Sequence, residues 1–289
     1  MNADGSDVKQ VTETRYHNAW PHWSPDGERI VFSSTRDRDW EIYTIRPDGS
    51  DATRLTWSPG RDAHAQWSPD GRRIAFQSPR DATDPLEVDI YMMNADGSTQ
   101  RRIVAAPGFD GVPVWSPDGR RIAYQASTRT DSLFWDLWLV NPDGTGRARI
   151  TSEPTSEQVP SWSADGQWMV FFSERGGRDQ LYTMRAGGGT PTRLSESAGS
   201  ETAAAHSRDG RRIAFISDRD GTRDLHVMNA DGSGVVRLTT NLQAWGASWG
   251  PGDRQLALSA EATGRNEIYI VNADGTGLRR LTFGTEGRR

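Results

Sequence analysis

Cysteine is absent from these 289 residues, which excludes disulfides and thiolate metal centres. It does not choose between the cytoplasm and an oxidising compartment. Lysine is almost absent too: Lys9 stands alone against 33 arginines. No run of 18 apolar residues occurs, so no helical membrane span is encoded. No charged segment followed by an apolar one opens the chain, as a secretory signal would. There is no H-E-x-x-H, no phosphate-binding G-x-x-x-x-G-K-[ST] and no EF-hand spacing. The net charge of −5 has both signs interspersed and offers no broad field for nucleic acid or an anionic membrane. A helical period of apolar residues is sustained nowhere.

What is present is a repeat. Trp-Ser-Pro-Asp-Gly stands at Trp23–Gly27, Trp67–Gly71 and Trp115–Gly119, with weaker copies from Trp162, His206 and Trp249. A period near 45 residues means one repeat architecture rather than two unrelated domains. Each copy is followed by short β-rich runs separated by Asp-Gly turns, the signature of antiparallel hairpins. Strand B recurs as Arg29-Ile-Val-Phe32 and Arg73-Ile-Ala-Phe76, strand C as Ile42-Tyr43 and Ile90-Tyr91, and strand D as Arg54-Leu-Thr56 and Arg237-Leu-Thr239.

These patterns predict an all-β, six-bladed β-propeller with four antiparallel strands per blade, a seven-bladed parent being the alternative. The blades fall at about 19–57, 64–106, 112–153, 159–197, 203–241 and 246–284, within a propeller of residues 15–289. Residues 1–14 are a partial repeat that supplies one extra outer D strand. Met1-Asn-Ala-Asp-Gly5 is the repeat's own text, as at Met93–Gly97. The expectation is therefore a fragment, or a reading frame taken from an internal Met.

The succession Trp-Ser-Pro-Asp-Gly, Arg-Ile-Ala-Phe, Ile-Tyr, Asn-Ala-Asp-Gly-Ser and Arg-Leu-Thr resembles the TolB-like propeller repeat, also called WD40-like or PD40. It covers about residues 1 to 284. The Gly-His start and Trp-Asp end of true WD40 repeats are missing at the matching positions. The resemblance implies a non-enzymatic scaffold for a protein or peptide, in the bacterial periplasm or outside the cell. TolB proper carries an additional α/β domain that this chain lacks. Similar repeats also accompany prolyl-oligopeptidase-type serine peptidases and signalling sensors, which gives the alternative reading of a module in a larger protein.

Candidate site residues come from phase within the repeat. The five motif tryptophans Trp23, Trp67, Trp115, Trp162 and Trp249 recur in register, as an inter-blade core would. Five positions before the motif stand Asn18, Asp62, Asp110, Glu157 and Glu201, with Ala244 in the sixth copy. By symmetry they predict a polar ring at a channel mouth, suited to a basic or amino-terminal guest. The variable loops add Tyr16, Trp20, Trp40, Trp57, Phe109, Trp135 and Trp245, aromatics suited to a polypeptide partner. The competing expectation is that the acids cap loop turns and the aromatics pack between blades. Gly246-Ala-Ser-Trp-Gly250 matches a nucleophile elbow in letters only, because no helix follows. No catalytic residue and no metal ligand is assigned; Asp-rich turns such as Asp218–Gly221 could hold Ca²⁺. The expected partner is a protein or peptide bound by a monomer, with no nucleic acid and no membrane insertion.

Overall fold

The repeat motif makes a hairpin turn through one serine and one aspartate. In the computed structural model, Ser24 Oγ accepts the Arg29 N–H at 2.9 Å and donates to Asp26 Oδ1 at 2.6 Å. The same Oδ1 accepts the Glu28 N–H at 3.0 Å. Gly27, at φ +74°, takes the left-handed conformation that a side chain would resist. Equivalent Ser–Asp bonds form at Ser68, Ser116, Ser163 and Ser207. In the sixth copy Gly250 replaces the serine, and Pro251–Asp253 forms a short 3-10 turn.

The structure describes residues 6, 10–12, 16–82, 84, 87–127, 134–261, 264 and 266–282. They form six four-stranded antiparallel sheets, each a simple meander, and no α-helix. Blade 1 is β1 (Asn18–Trp23), β2 (Ile30–Asp37), β3 (Asp39–Ile45) and β4 (Thr53–Arg54). Blade 2 is β5 (Ala63–Trp67), β6 (Arg73–Ser78), β7 (Asp89–Asn94) and β8 (Arg101–Arg102). Blade 3 is β9 (Phe109–Trp115), β10 (Ile122–Ser127), β11 (Asp136–Val140) and β12 (Ala148–Arg149). Blade 4 is β13 (Glu157–Trp162), β14 (Trp168–Ser173), β15 (Gln180–Arg185) and β16 (Thr192–Arg193). Blade 5 is β17 (Glu201–His206), β18 (Arg212–Ser217), β19 (Asp224–Asn229) and β20 (Val236–Arg237). Blade 6 is β21 (Ala244–Trp249), β22 (Gln255–Ala260), β23 (Glu267–Asn272) and β24 (Arg279–Arg280). This is the six-bladed β-propeller class.

The chain divides into two compact units, one of Lys9–Pro160 and one of Met1–Val8 with Ser161–Arg289. Blades 1 to 3 belong to the first. The boundary falls in β13, and the rest of blade 4 with blades 5 and 6 belongs to the second. Within the first unit, Trp67 packs with Val31, Ile42 and Leu55 of blade 1, and Trp115 with Ile90, Met92 and Ile103 of blade 2. Within the second, Trp249 packs with Leu225, Val227 and Leu238 of blade 5. The motif tryptophan therefore seals the blade before its own. Trp67, Trp115, Trp162 and Trp249 are 5–8% exposed. Trp23 departs from the expected core position at 54% exposed.

Of the expected extra strand at 1–14, residues 6 and 10–12 are described and lie outside any strand. Val11 packs against Phe32, Tyr43 and Ile45 of blade 1.

A second repeated network joins strands C and D. Thr239 Oγ1 accepts the Leu225 N–H at 3.0 Å and donates to Asp224 at 2.8 Å, and Arg237 pairs with Asp224 at 2.6 Å. Thr56, Glu41 and Arg54 repeat it in blade 1. The Arg-Leu-Thr motif of the sequence is thus the set of partners for a buried carboxylate that opens strand C.

Candidate interaction surface

Strand A of each blade begins at or beside the aligned polar position. Asp62, Glu157 and Glu201 are fully buried, Asp110 is 1% exposed, and Asn18 is half-buried. Ion pairs neutralise three of the acids. Arg80 bonds Asp62 at 2.7 Å, Arg147 bonds Asp110 at 3.3 Å, and Arg219 pairs with Glu201. Thr155 donates to Glu157 at 2.9 Å. The Asn18 side chain donates to the Tyr16 carbonyl at 3.1 Å. All four acids are buried beside their own loops. The physical reason is the arginine beside each of three acids, without which a buried carboxylate would be costly. Two of the arginines were visible in the sequence. Ser78-Pro-Arg80 and Ser217-Asp-Arg219 end strand B in the same phase, and each arginine Nε also bonds its own serine.

Asp110 is the acid most changed by its surroundings. Burial pushes its carboxyl up to about 7, against the opposing pull of Arg147.

Two residues past the aligned position the backbone turns left-handed in five blades. Trp20, His64, Val112, Val159 and Ala203 have φ between +49° and +53°, and strand A breaks register there in blades 1, 2, 3 and 5. For such residues this conformation stores strain, a recurrent property of binding and catalytic positions. The N–H of Val112 is taken by Gln77 Oε1 of blade 2 at 3.0 Å, which helps to hold the bulge.

In the first unit this bulge assembles aromatics. The Trp20 ring lies 4.3 Å from His64 and 5.2 Å from Trp40, and the Arg61 guanidinium covers Trp20 at 4.7 Å and Trp40 at 5.2 Å. His17 joins Trp40 at 6.5 Å. Burial, with Arg61 adding to it, lowers His64 to about 4, so its ring is neutral at pH 7. Asp62 supports this patch from below. Its N–H bonds the Trp40 carbonyl at 2.9 Å, and its carboxylate accepts from Ser58 at 2.9 Å. Trp57 is 67% exposed beside Arg54.

Phe109 and Trp135 form an edge-to-face pair at 4.7 Å in blade 3, and Trp245, 48% exposed, carries Arg223 at 3.4 Å. Tyr16 is half-buried. Ser248 lies within strand β21, paired with Ala257, and so has no elbow geometry. Among the described residues no group of three or more acidic or histidine side chains could hold a metal. No helix among them is long and apolar enough to cross a membrane.

A sequence profile of the TolB beta propeller domain, PD40, matches residues 2–103 and 99–204. The chain belongs to this family. No curated protein sequence matches it. The TolB-like propeller is similar in structure to TolB from Acinetobacter baumannii, at 21% identity and a TM-score of 0.66, over 89% of this chain and 61% of that one. It is similar to an oligogalacturonate lyase solved in complex with manganese, at 14% identity and a TM-score of 0.76, over 93% and 79%. It is also similar to a puromycin-hydrolyzing peptidase of Mycobacterium tuberculosis, at 18% identity and a TM-score of 0.69. That likeness spans 88% of this chain and 43% of the peptidase. At these identities the likeness is one of fold.

Proposed function

We propose that this TolB-like propeller is a non-enzymatic scaffold that holds a polypeptide segment, and that it works in the bacterial cell envelope. The patch of Trp20, Trp40, His64 and Arg61 carries the reading. Rigid aromatics flanked by a cation, held on a strained bulge and braced by buried ion pairs, match the anchors that dominate polypeptide interfaces. The buried acids serve as supports: Asp62 positions the patch, and Asp110, Glu157 and Glu201 hold the equivalent loops. Envelope location and the polypeptide class of partner rest on the family resemblance.

Selection of a displayed peptide library against the intact chain tests this. The expected ligands lose at least about tenfold in affinity to a Trp20→Ala/Trp40→Ala variant that still melts cooperatively, because central aromatic anchors contribute about 2 kcal/mol or more each. Peptides that bind wild type and variant equally would overturn the assignment of the patch.

A second reading has one specific support. The peptidase likeness covers most of this chain and under half of that protein, so a propeller of this kind also serves as one module of a larger enzyme. The genomic sequence on both sides of the reading frame separates the two. A hydrolase domain in frame would favour the module reading.

A further inference from the structure

The groove between blades 4 and 5 departs from its counterparts at three repeat positions together. In blades 1 and 2 the turn proline points across the groove: Pro25 lies 3.7 Å from the Cβ position of Gly71, and Pro69 stands likewise by Gly119. Here the residue is Ala164, facing Gly210. In blades 2 and 5 strand B opens with an arginine laid over the next motif tryptophan, Arg73 over Trp115 at 5.3 Å and Arg212 over Trp249 at 4.7 Å. Here strand B opens with Trp168, and the motif tryptophan is replaced by His206. The groove encloses about 780 Å³, against about 430 Å³ for the groove between blades 1 and 2 that Trp67 lines. That is the size of small-ligand sites.

The opened groove has a definite chemistry. Trp168 is 37% exposed and lines it, while Arg185, which is no part of the lining, sits over the same ring at 4.2 Å. His206 Nδ1 is buried without a hydrogen-bond partner, and a buried unpaired acceptor calls for a donor. Burial lowers the His206 ring to about 4, so it is neutral at pH 7, and with its other nitrogen bonded to the Ser161 backbone, Nδ1 carries the lone pair. Asp165, Asp209 and Asp231 also line the groove. Hydrogen bonds from Ser163, Ser207 and Ser233 hold all three below the usual carboxylate range, hence charged. Those bonds all go to Oδ1. Against three negative charges stands Arg193, which is bonded to Gln180.

We infer that this groove is a binding site for a primary ammonium group carried on an apolar or aromatic body, with Trp168 as the platform, His206 Nδ1 as an acceptor and the three aspartates as the anionic rim. A cleft whose lining carries three aspartates against one arginine, with an aromatic face, favours such a cation. The ligand would be a free amine or a lysine side chain of a polypeptide. The site is independent of the aromatic patch on blades 1 and 2.

Calorimetric titration of the intact chain at neutral pH tests it, with benzylamine as probe and benzyl alcohol and benzoate as controls. Saturable benzylamine binding with a Kd of about 1 mM or below is expected, and at least about tenfold weaker binding of both controls. His206→Trp and Trp168→Arg each restore the residue that other blades carry, so both should melt cooperatively, and each should weaken benzylamine by about tenfold or more. An acetylated, amidated Gly-Lys-Gly peptide distinguishes the sources. Binding of it supports a lysine-bearing polypeptide, and binding of benzylamine alone supports a free amine. Absence of saturable benzylamine binding, equal binding of the alcohol, or unchanged binding to folded His206→Trp would overturn the inference.

Discussion

Trp67 and Trp23 occupy the same repeat position and stand in opposite surroundings, at 5% and 54% exposed. Trp67→Ala should cost about 3–5 kcal/mol by emptying a packed interior. Trp23→Ala should cost under about 1 kcal/mol, as surface truncations do. Denaturant titration of both variants checks this, and equal losses would mean that Trp23 is buried in solution. Asp110 gives a prediction in pH. Its folded pKa is raised, so the folded state binds more protons than the unfolded chain between about pH 4 and 7. Its contribution is complete at the acid end of that window and is lost as pH rises through about 7. Asp110→Asn removes that dependence. Variant minus wild-type stability should therefore climb from pH 4 to 7 and level off above, and a flat difference would show that Asp110 ionises freely. The phase of these acids was legible in the sequence. Their burial was not, because Arg147 reaches Asp110 from 37 residues away, a pairing that no period reveals.

At the scale of the element, the hairpin turns were legible because Asp-Gly demands them. Their contacts were not. Gly27 and Gly232 both have positive φ, but a Cβ on Gly27 meets nothing within 4 Å, whereas one on Gly232 would overlap the Leu194 carbonyl of blade 4. Gly27→Ala should cost about 1–2 kcal/mol from backbone conformation alone. Gly232→Ala should cost more, because the turn must also retreat from a neighbouring backbone. Thermal melts of the two would rank them, and equal losses would contradict the close approach of blades 4 and 5. The left-handed residue in strand A escaped sequence reasoning altogether. Trp20, His64, Val112, Val159 and Ala203 are not residues that announce a positive φ, and Gly246, which is, shows none.

For the whole molecule, composition and period led directly to six four-stranded blades, because each blade repeats one hydrophobic pattern and one set of turns. Function was less legible, since the repeat that specifies the fold says little about what its surfaces bind. Informative positions are those where the pattern lapses. Ala164, Trp168 and His206 each look like ordinary drift in a sequence, and only the fold shows that all three line one groove. The same holds for Trp20, Trp40 and Arg61, which lie in separate segments and meet in one patch. Restoring the repeat at one site and truncating the other should therefore produce independent defects. His206→Trp should leave peptide capture by the blade 1–2 patch unchanged, and Trp20→Ala/Trp40→Ala should leave benzylamine binding unchanged. Cross-effects in either direction would show one continuous site.

A motif tryptophan that seals the preceding blade also sets a clock. A ribosome completes blade 1 before it supplies Trp67. Strand D of blade 1 ends at Arg54, 13 residues before Trp67, so at roughly 5–20 residues per second the finished blade waits about 1–3 s for its seal. During that interval its apolar face is open to chaperones and to wrong partners. Blade 4 waits just as long and then receives a histidine, so the groove beside it is left incompletely closed when synthesis has moved on.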